Sequence, residues 1–77
     1  MDQLRAIRYF IAVAEGESFS TAAKQFDVPA SSISRRISDL ESSLGAQLLK
    51  RTTRMVHLTE IGEAYYRQVK DIVGQLD

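Results

Sequence analysis

Cysteine is absent from this chain, so a disulfide framework, a thiolate metal site and a cysteine nucleophile are all excluded. Histidine occurs once, at His57, which makes a zinc centre a poor reading. No apolar run approaches the roughly 20 residues of a membrane-spanning helix. Asp2, Arg5 and Arg8 also break the N-terminus where a signal peptide would be apolar. There is no glycine-rich phosphate loop and no nucleophile paired with a base, so the chain does not read as an enzyme. These absences point to a soluble domain of a reducing compartment, expected in the cytoplasm. Its 77 residues make one domain. A chain this short buries only about 60 to 65% of its unfolded surface, so packing against a second chain would add stability.

The formal net charge is zero, but it is unevenly spread. Residues 1–29 balance to −1, residues 30–58 to +3 and residues 59–77 to −2. In the middle third, "KRTTR" holds Lys50, Arg51 and Arg54 without an acid, and Arg35 and Arg36 lie just upstream. This is a basic band on an otherwise neutral body, the electrostatic footprint of a polyanion partner.

Hydrophobic periodicity organises the rest. Leu4, Ile7, Ile11 and Ala14, with Phe10 and Val13 beside them, predict an amphipathic helix over 3–15 that ends at Gly16. Ser20 reads as the N-cap of a short second helix with Ala22, Ala23 and Phe26 turned inward. Asp27, Val28 and Pro29 break it. A third helix follows, over about 30–44, with Gly45 as its C-terminal cap. At 100° per residue its apolar stripe of Ile33, Ile37, Leu40 and Leu44 lies opposite Ser31, Arg35, Ser38 and Ser42. Beyond Gly45 the period changes, and Leu48 to Lys50 is expected to pair with Met55 to Leu58 across "RTTR" as a small hairpin. Thr59 caps a last helix, whose Glu60 and Glu63 suit the positive end of the helix dipole. Its Tyr65, Val69, Ile72 and Leu76 recur at four, three and four, the stripe of a helix that packs along another, and they are the expected dimer contacts. The pattern runs to the last residues, which suggests the front of a longer protein.

Two helices joined by a tight turn, with Ala23 on the first, Val28 in the turn and Ile33 and Ile37 on the second, have helix-turn-helix spacing. The third helix would then enter the major groove by its N-terminal turns. Short hydroxyls there permit close approach, arginine bridges two acceptors on guanine or grips a phosphate, and the helix N-terminus favours phosphate. The residues expected at DNA are Ala30, Ser31, Ser32, Ser34, Arg35 and Arg36 on that helix, and Ser20 and Thr21 at the start of the second. Arg51, Thr53 and Arg54 join them from a wing over 50–55 that reaches the backbone or minor groove. Ser38 and Ser42, further along, read as solvated surface. Arg36 reads equally as a partner of Asp39, and Lys50 and Arg51 also read as solvated strand ends. His57 reads as structural.

Together, "YFIAVAE", "SFSTAA", "SISRRISDLE", "LG", "RTTR" and "LTEIG" in this order resemble the N-terminal domain of LysR-type transcriptional regulators, over nearly the whole chain. The resemblance implies a mainly α fold: a winged helix-turn-helix over 1–58, with a three-helix core and a short β-hairpin wing, followed by a long linker helix over 59–77 that dimerises the protein. It further implies double-stranded DNA as partner, a homodimer with a tetramer open to the full-length protein, and no membrane. It implies no cofactor in this domain and a small-molecule effector for an absent C-terminal domain of periplasmic-binding-protein type. Carried over, Ser34 and Arg35 fall where the family's recognition helix meets DNA, Arg54 where its wing reaches the minor groove, and Thr59 and Gly62 where its linker helix begins. Two departures stand out. Pro29-Ala30 replaces a common Ser-Gln, leaving only a methyl contact at Ala30, of the kind that suits thymine, and Leu49 replaces a frequent phenylalanine. The rival reading is a winged-helix module whose third helix contacts a protein, which a near-zero net charge favours. Against it, that helix's outward face carries none of the aromatic or large apolar anchors such contacts use.

Overall fold

The computed structural model describes residues 2–52 and 55–76. Four helices and one antiparallel hairpin follow in the order α1 (Gln3–Gly16), α2 (Phe19–Phe26), α3 (Ala30–Leu44), β1 (Leu49–Arg51), β2 (Val56–Leu58) and α4 (Glu60–Leu76). This is the mainly helical winged helix-turn-helix that the patterning predicts. The first helix is central and packs against each of the other three and against β2.

That central position explains where α1 departs from expectation. Its deeply buried residues are Ala6, Tyr9, Phe10, Ala12 and Val13, while Ile7, Ile11 and Ala14 are half-buried and Leu4 is 43% exposed. A helix covered on several sides buries more than one stripe, so the aromatic residues, not the aliphatic series, define its inner face. Phe10 meets Tyr65 of α4 at 5.6 Å between ring centroids, and Tyr9 meets Phe26 of α2 edge-on at 4.8 Å. The helix ends at Gly16 as expected, one residue beyond the predicted bound of 15, but the glycine is not the left-handed cap. It stays helical and Glu17 takes the left-handed conformation at φ 53°. A Cβ on Gly16 would lie 3.2 Å from Thr21 Cγ2, so the glycine serves the close approach of α2.

The second helix begins two residues earlier than expected. Ser18, not Ser20, is its N-cap: its extended backbone places Oγ to accept from the Thr21 amide at 3.3 Å, and Ser20 lies exposed inside the helix. This start brings Phe19 into the helix and against the core. Asp27, left-handed at φ 55°, closes α2 with its amide and is a residue type that tolerates this conformation. Pro29 then starts α3, and Gly45 at φ 66° ends it where the sequence predicts. Ile33, Ile37 and Leu40 are fully buried, but Leu44, one turn beyond the core, is 39% exposed.

The first strand of the hairpin lies one residue later than the expected Leu48–Lys50 and the second lacks Met55: Leu49 pairs with Leu58, Lys50 with His57 and Arg51 with Val56. Thr52 and Met55 close it through Thr52 N to Met55 O at 2.9 Å and Met55 N to Thr52 Oγ1 at 3.2 Å. His57 is exposed on β2.

The root of the wing is held from two sides. A carboxylate oxygen of Glu41, Oε2, accepts from the amides of Leu48 at 2.7 Å and Leu49 at 3.2 Å. From the other side, Thr59 N donates to Leu48 O at 3.0 Å, and Thr59 Oγ1 donates to Gln47 O at 2.6 Å while accepting from Gly62 N at 2.9 Å. The buried Gly62 faces Leu48 O so closely that a Cβ there would lie 2.0 Å from the carbonyl. Thus α4 grows directly out of the wing, and Tyr65 and Val69 tie it to the core.

Candidate nucleic-acid interface

Proline as N-cap of α3 offers no side-chain oxygen to the first turn. Inside the helix the first bonds are from Ser32 N and Ile33 N to Pro29 O. The amides of Ala30 and Ser31 therefore have no acceptor among the described residues, and with the helix dipole behind them they form a site suited to an anion. Ser31 and Arg35 are exposed on the face opposite Ile33 and Ile37, as are Ser38 and Ser42. Ser32, Ser34 and Arg36 are half-buried on the flanks, and Ser32, Arg35 and Arg36 line a cleft with Tyr9, Val28 and Asp39.

The second helix reaches the same surface. Ser20 and Thr21 are exposed in its first turn, next to Phe19. Arg51 joins the elements: its guanidinium lies 4.6 Å from the centre of the Phe19 ring, and its Nη1 donates to Ser34 Oγ at 3.0 Å. The expected contacts Ser20, Ser31, Ser34, Arg35 and Arg51 thus come from three elements arranged around α3. Thr53 and Arg54 lie outside the described residues.

Charge is segregated by ion pairing. Arg5 pairs with Asp2, Arg67 with Glu63, and Lys70 with Glu15, all on α1 and α4 or at their ends. Lys24, Arg35, Arg36, Lys50 and Arg51 make no ion pair among the described residues. Arg36 in particular does not bridge to Asp39. On the far side Glu15 accepts from the Tyr66 phenol at 2.7 Å and from Lys70, and these bonds hold its carboxyl below the ordinary value of 4.5. Bonds to Tyr66 and Glu15 push Lys70 above its ordinary value of 10.5. The phenol of Tyr65 is pushed up by burial.

Residues 4–63 match the model of the bacterial regulatory helix-turn-helix proteins of the lysR family. The chain belongs to this family. An uncharacterized HTH-type transcriptional regulator of Escherichia coli, YhjC, is 53% identical to the LysR-family chain over 76 residues, which is 99% of this chain and 25% of that protein. An HTH-type transcriptional repressor of Pseudomonas aeruginosa is 42% identical over 77 residues, covering all of this chain and 24% of the repressor. Among solved structures, a crystal structure of the BenM DNA-binding domain with benA site 1 DNA superposes with a TM-score of 0.91 at 39% identity, over 96% of this chain and 83% of that one. The LysR-family chain spans about a quarter of the length of these curated relatives.

Of the four residues expected at the dimer, Val69 is only 6% exposed inside this chain and Tyr65 is half-buried against Phe10. Ile72 and Leu76 present apolar surface, at 56% and 64% exposure. Ile61 is exposed as well, and the heptad spacing does not include it. Sequence reasoning missed two residues of the interface scaffold. Glu41 counts as one more charge on a helix until the fold brings the Leu48 and Leu49 amides to it. Phe19 lay outside the expected helix because Ser20 was placed at its start. No helix among the described residues is long and apolar enough to cross a membrane.

Proposed function

We propose that this chain is the double-stranded DNA-binding part of a homodimeric transcriptional regulator of the cytoplasm, with no catalytic activity of its own. It reads sequence by laying the first turns of α3 in the major groove. The observation that carries this reading is the concentration of cations without ion pairs around an uncapped helix N-terminus and its wing, while Arg5, Arg67 and Lys70 of α1 and α4 are paired with carboxylates. The BenM complex, a close structural match solved with DNA, supports it. The unit divides into residues 1–58 as the reading head and 59–77 as the linker helix, followed in the full-length protein by an effector-binding domain. Dimerisation rests on the exposed distal face of α4, Ile72 and Leu76.

In this reading Arg36 and Lys50 grip phosphates together with the Ala30 and Ser31 amides, and Arg54, outside the described residues, is the wing cation for the backbone or minor groove. Ser31, Ser34 and Arg35 face base edges. Three or four phosphate contacts per half-site give log K a slope of roughly −3 to −4 per domain against log salt. A good arginine contact discriminates bases by about 1 to 3 kcal/mol. The test is fluorescence anisotropy of the chain with a pool of random duplexes, followed by sequencing of the bound fraction. An enriched inverted repeat, and loss of its preference in Arg35→Ala, is the expected result. Wild-type affinity and selectivity in Arg35→Ala across salt would refute the assignment. A folded chain that binds no duplex at low salt would instead favour a protein partner for α3.

A further inference from the structure

Arg51 belongs to the basic band, yet it does not stand free as a phosphate grip would. It is stacked on Phe19 of α2 and donates to Ser34 Oγ of α3, so one guanidinium joins the wing to both helices of the helix-turn-helix. We propose that Arg51 is a positioning residue for DNA reading, which fixes Ser34 as a hydrogen-bond donor and locks the wing's first strand to the recognition helix. The inference rests on the DNA-binding reading above and assigns within it which atoms meet the nucleic acid.

The chemistry follows from the donor inventory. Guanidinium has no acceptor, so the bond between Arg51 and Ser34 uses a lone pair of the serine oxygen and leaves the hydroxyl proton to point elsewhere. That proton has no acceptor among the described residues. Ser34 is thus presented as a donor and suits an acceptor: a phosphate oxygen, purine N7, guanine O6 or thymine O4. The stack on Phe19, within the 6 Å reach of a cation–π contact, keeps the planar group in place. Lysine retains the charge but has neither the plane nor the fork that matches this geometry.

The experiment is a double-mutant cycle on Arg51→Ala and Ser34→Ala, with Arg51→Lys and Phe19→Leu, measured by anisotropy on the selected duplex between roughly 50 and 200 mM salt. Circular dichroism melts check that each variant is folded. A positioning role predicts that Arg51→Ala and Ser34→Ala each weaken binding roughly 3- to 10-fold per half-site. It predicts that the double variant loses little more than either single one, and that Arg51→Ala keeps the wild-type salt slope. Phe19→Leu should weaken binding in the same way with its charge intact. A scan with base analogues lacking purine N7, guanine O6 or thymine O4 in turn and a methylphosphonate scan of the duplex separate a base acceptor from a phosphate, since only one should abolish the effect of Ser34→Ala. If Arg51→Ala lowers the slope by about 0.9 per half-site, multiplies with Ser34→Ala, and is rescued by Arg51→Lys, then Arg51 is a phosphate contact and the inference fails. Failure of the wild-type chain to bind any duplex would instead overturn the DNA-binding reading beneath it.

Discussion

Replacing Gly62 by alanine should destabilise the domain although it places a better helix former in the first turn of α4. In an exposed helix interior, glycine to alanine gains up to about 1 kcal/mol. At Gly62 the added methyl would lie 2.0 Å from Leu48 O, 2.8 Å from its carbon and 3.0 Å from its Cα, all backbone atoms that no rotamer change can move. A Cβ essentially never lies within 3.0 Å of such an atom, so α4 or the wing root must shift by about 1 Å. Such overpacking costs about 1 to 3 kcal/mol. The same shift strains the bonds from Thr59 to Leu48 O and Gln47 O, each contributing about 1 kcal/mol. The net loss is about 1 to 4 kcal/mol, which for a domain of this size lowers Tm by roughly 4 to 8 °C for each kcal/mol. Gly74 is the control on the same helix: a Cβ there meets nothing within 4 Å, so Gly74→Ala should be neutral or stabilising by up to about 1 kcal/mol. Thermal and urea melts followed by far-ultraviolet circular dichroism read both. A Gly62→Ala chain that melts at or above wild type would show that the approach of α4 to Leu48 does not constrain the fold.

Three further outcomes follow from the same geometry. Glu41→Ala leaves the amides of two buried residues, Leu48 and Leu49, without their acceptor, and should cost about 1 to 3 kcal/mol in urea unfolding, with Glu41→Gln losing less because it keeps an oxygen there. The Glu15, Tyr66 and Lys70 cluster should contribute constant stability between about pH 4.5 and 10.5. The lowered Glu15 value means its contribution is lost as acid protonates the carboxylate below that window, and the raised Lys70 value means its contribution is lost as base deprotonates the amine above it. Tyr66→Phe should weaken both effects in melts across pH, and the difference should shrink in high salt because the cluster is exposed. Phe10→Ala empties the ring site that faces Tyr65 and should cost about 3 to 5 kcal/mol, enough to leave the chain largely unfolded near room temperature.

How legible each feature was in the sequence follows how local its cause is. The bounds of α3 were readable because Pro29 and Gly45 act on their own backbone, whatever surrounds them. The inner stripe of that helix was readable to Leu40 and failed at Leu44, since periodicity does not tell where a covering partner ends. The same limit misplaced the face of α1: a helix packed against three others buries Tyr9, Phe10 and Val13 together, which a one-stripe model cannot anticipate. At the start of α2 the sequence points to Ser20 as the cap, whereas Ser18 holds that position and Phe19 packs against the core as the first helical residue. Glu41 and Arg51 were beyond sequence reasoning for a stronger reason. Their partners are brought to them by the chain reversal after Gly45, and the spacings of 7, 8 and 17 residues carry no periodic signature.

The charge pattern shows how the fold completes what composition leaves undecided. Zero net charge weighs against a polyanion partner only if the charges are mixed over the surface. Here Asp2, Glu63 and Glu15 are taken up in pairs with Arg5, Arg67 and Lys70 of α1 and α4. Glu41, one of two acids in the basic third, is turned inward onto the wing root and bonded to two amides, so its charge is partly spent on structure. A ligand approaching α3 therefore meets Arg35, Arg36, Lys50 and the amides of Ala30 and Ser31 against a weaker acidic background than the sequence total implies. Glu41 consequently has a double consequence for binding. Glu41→Gln removes the charge but keeps an acceptor at the wing root, so it should steepen the salt dependence of DNA binding, whereas Glu41→Ala also frees the wing and should blur base selectivity. A variant that lost affinity uniformly, with wild-type selectivity and slope, would show instead that the wing root and the reading face of α3 act independently.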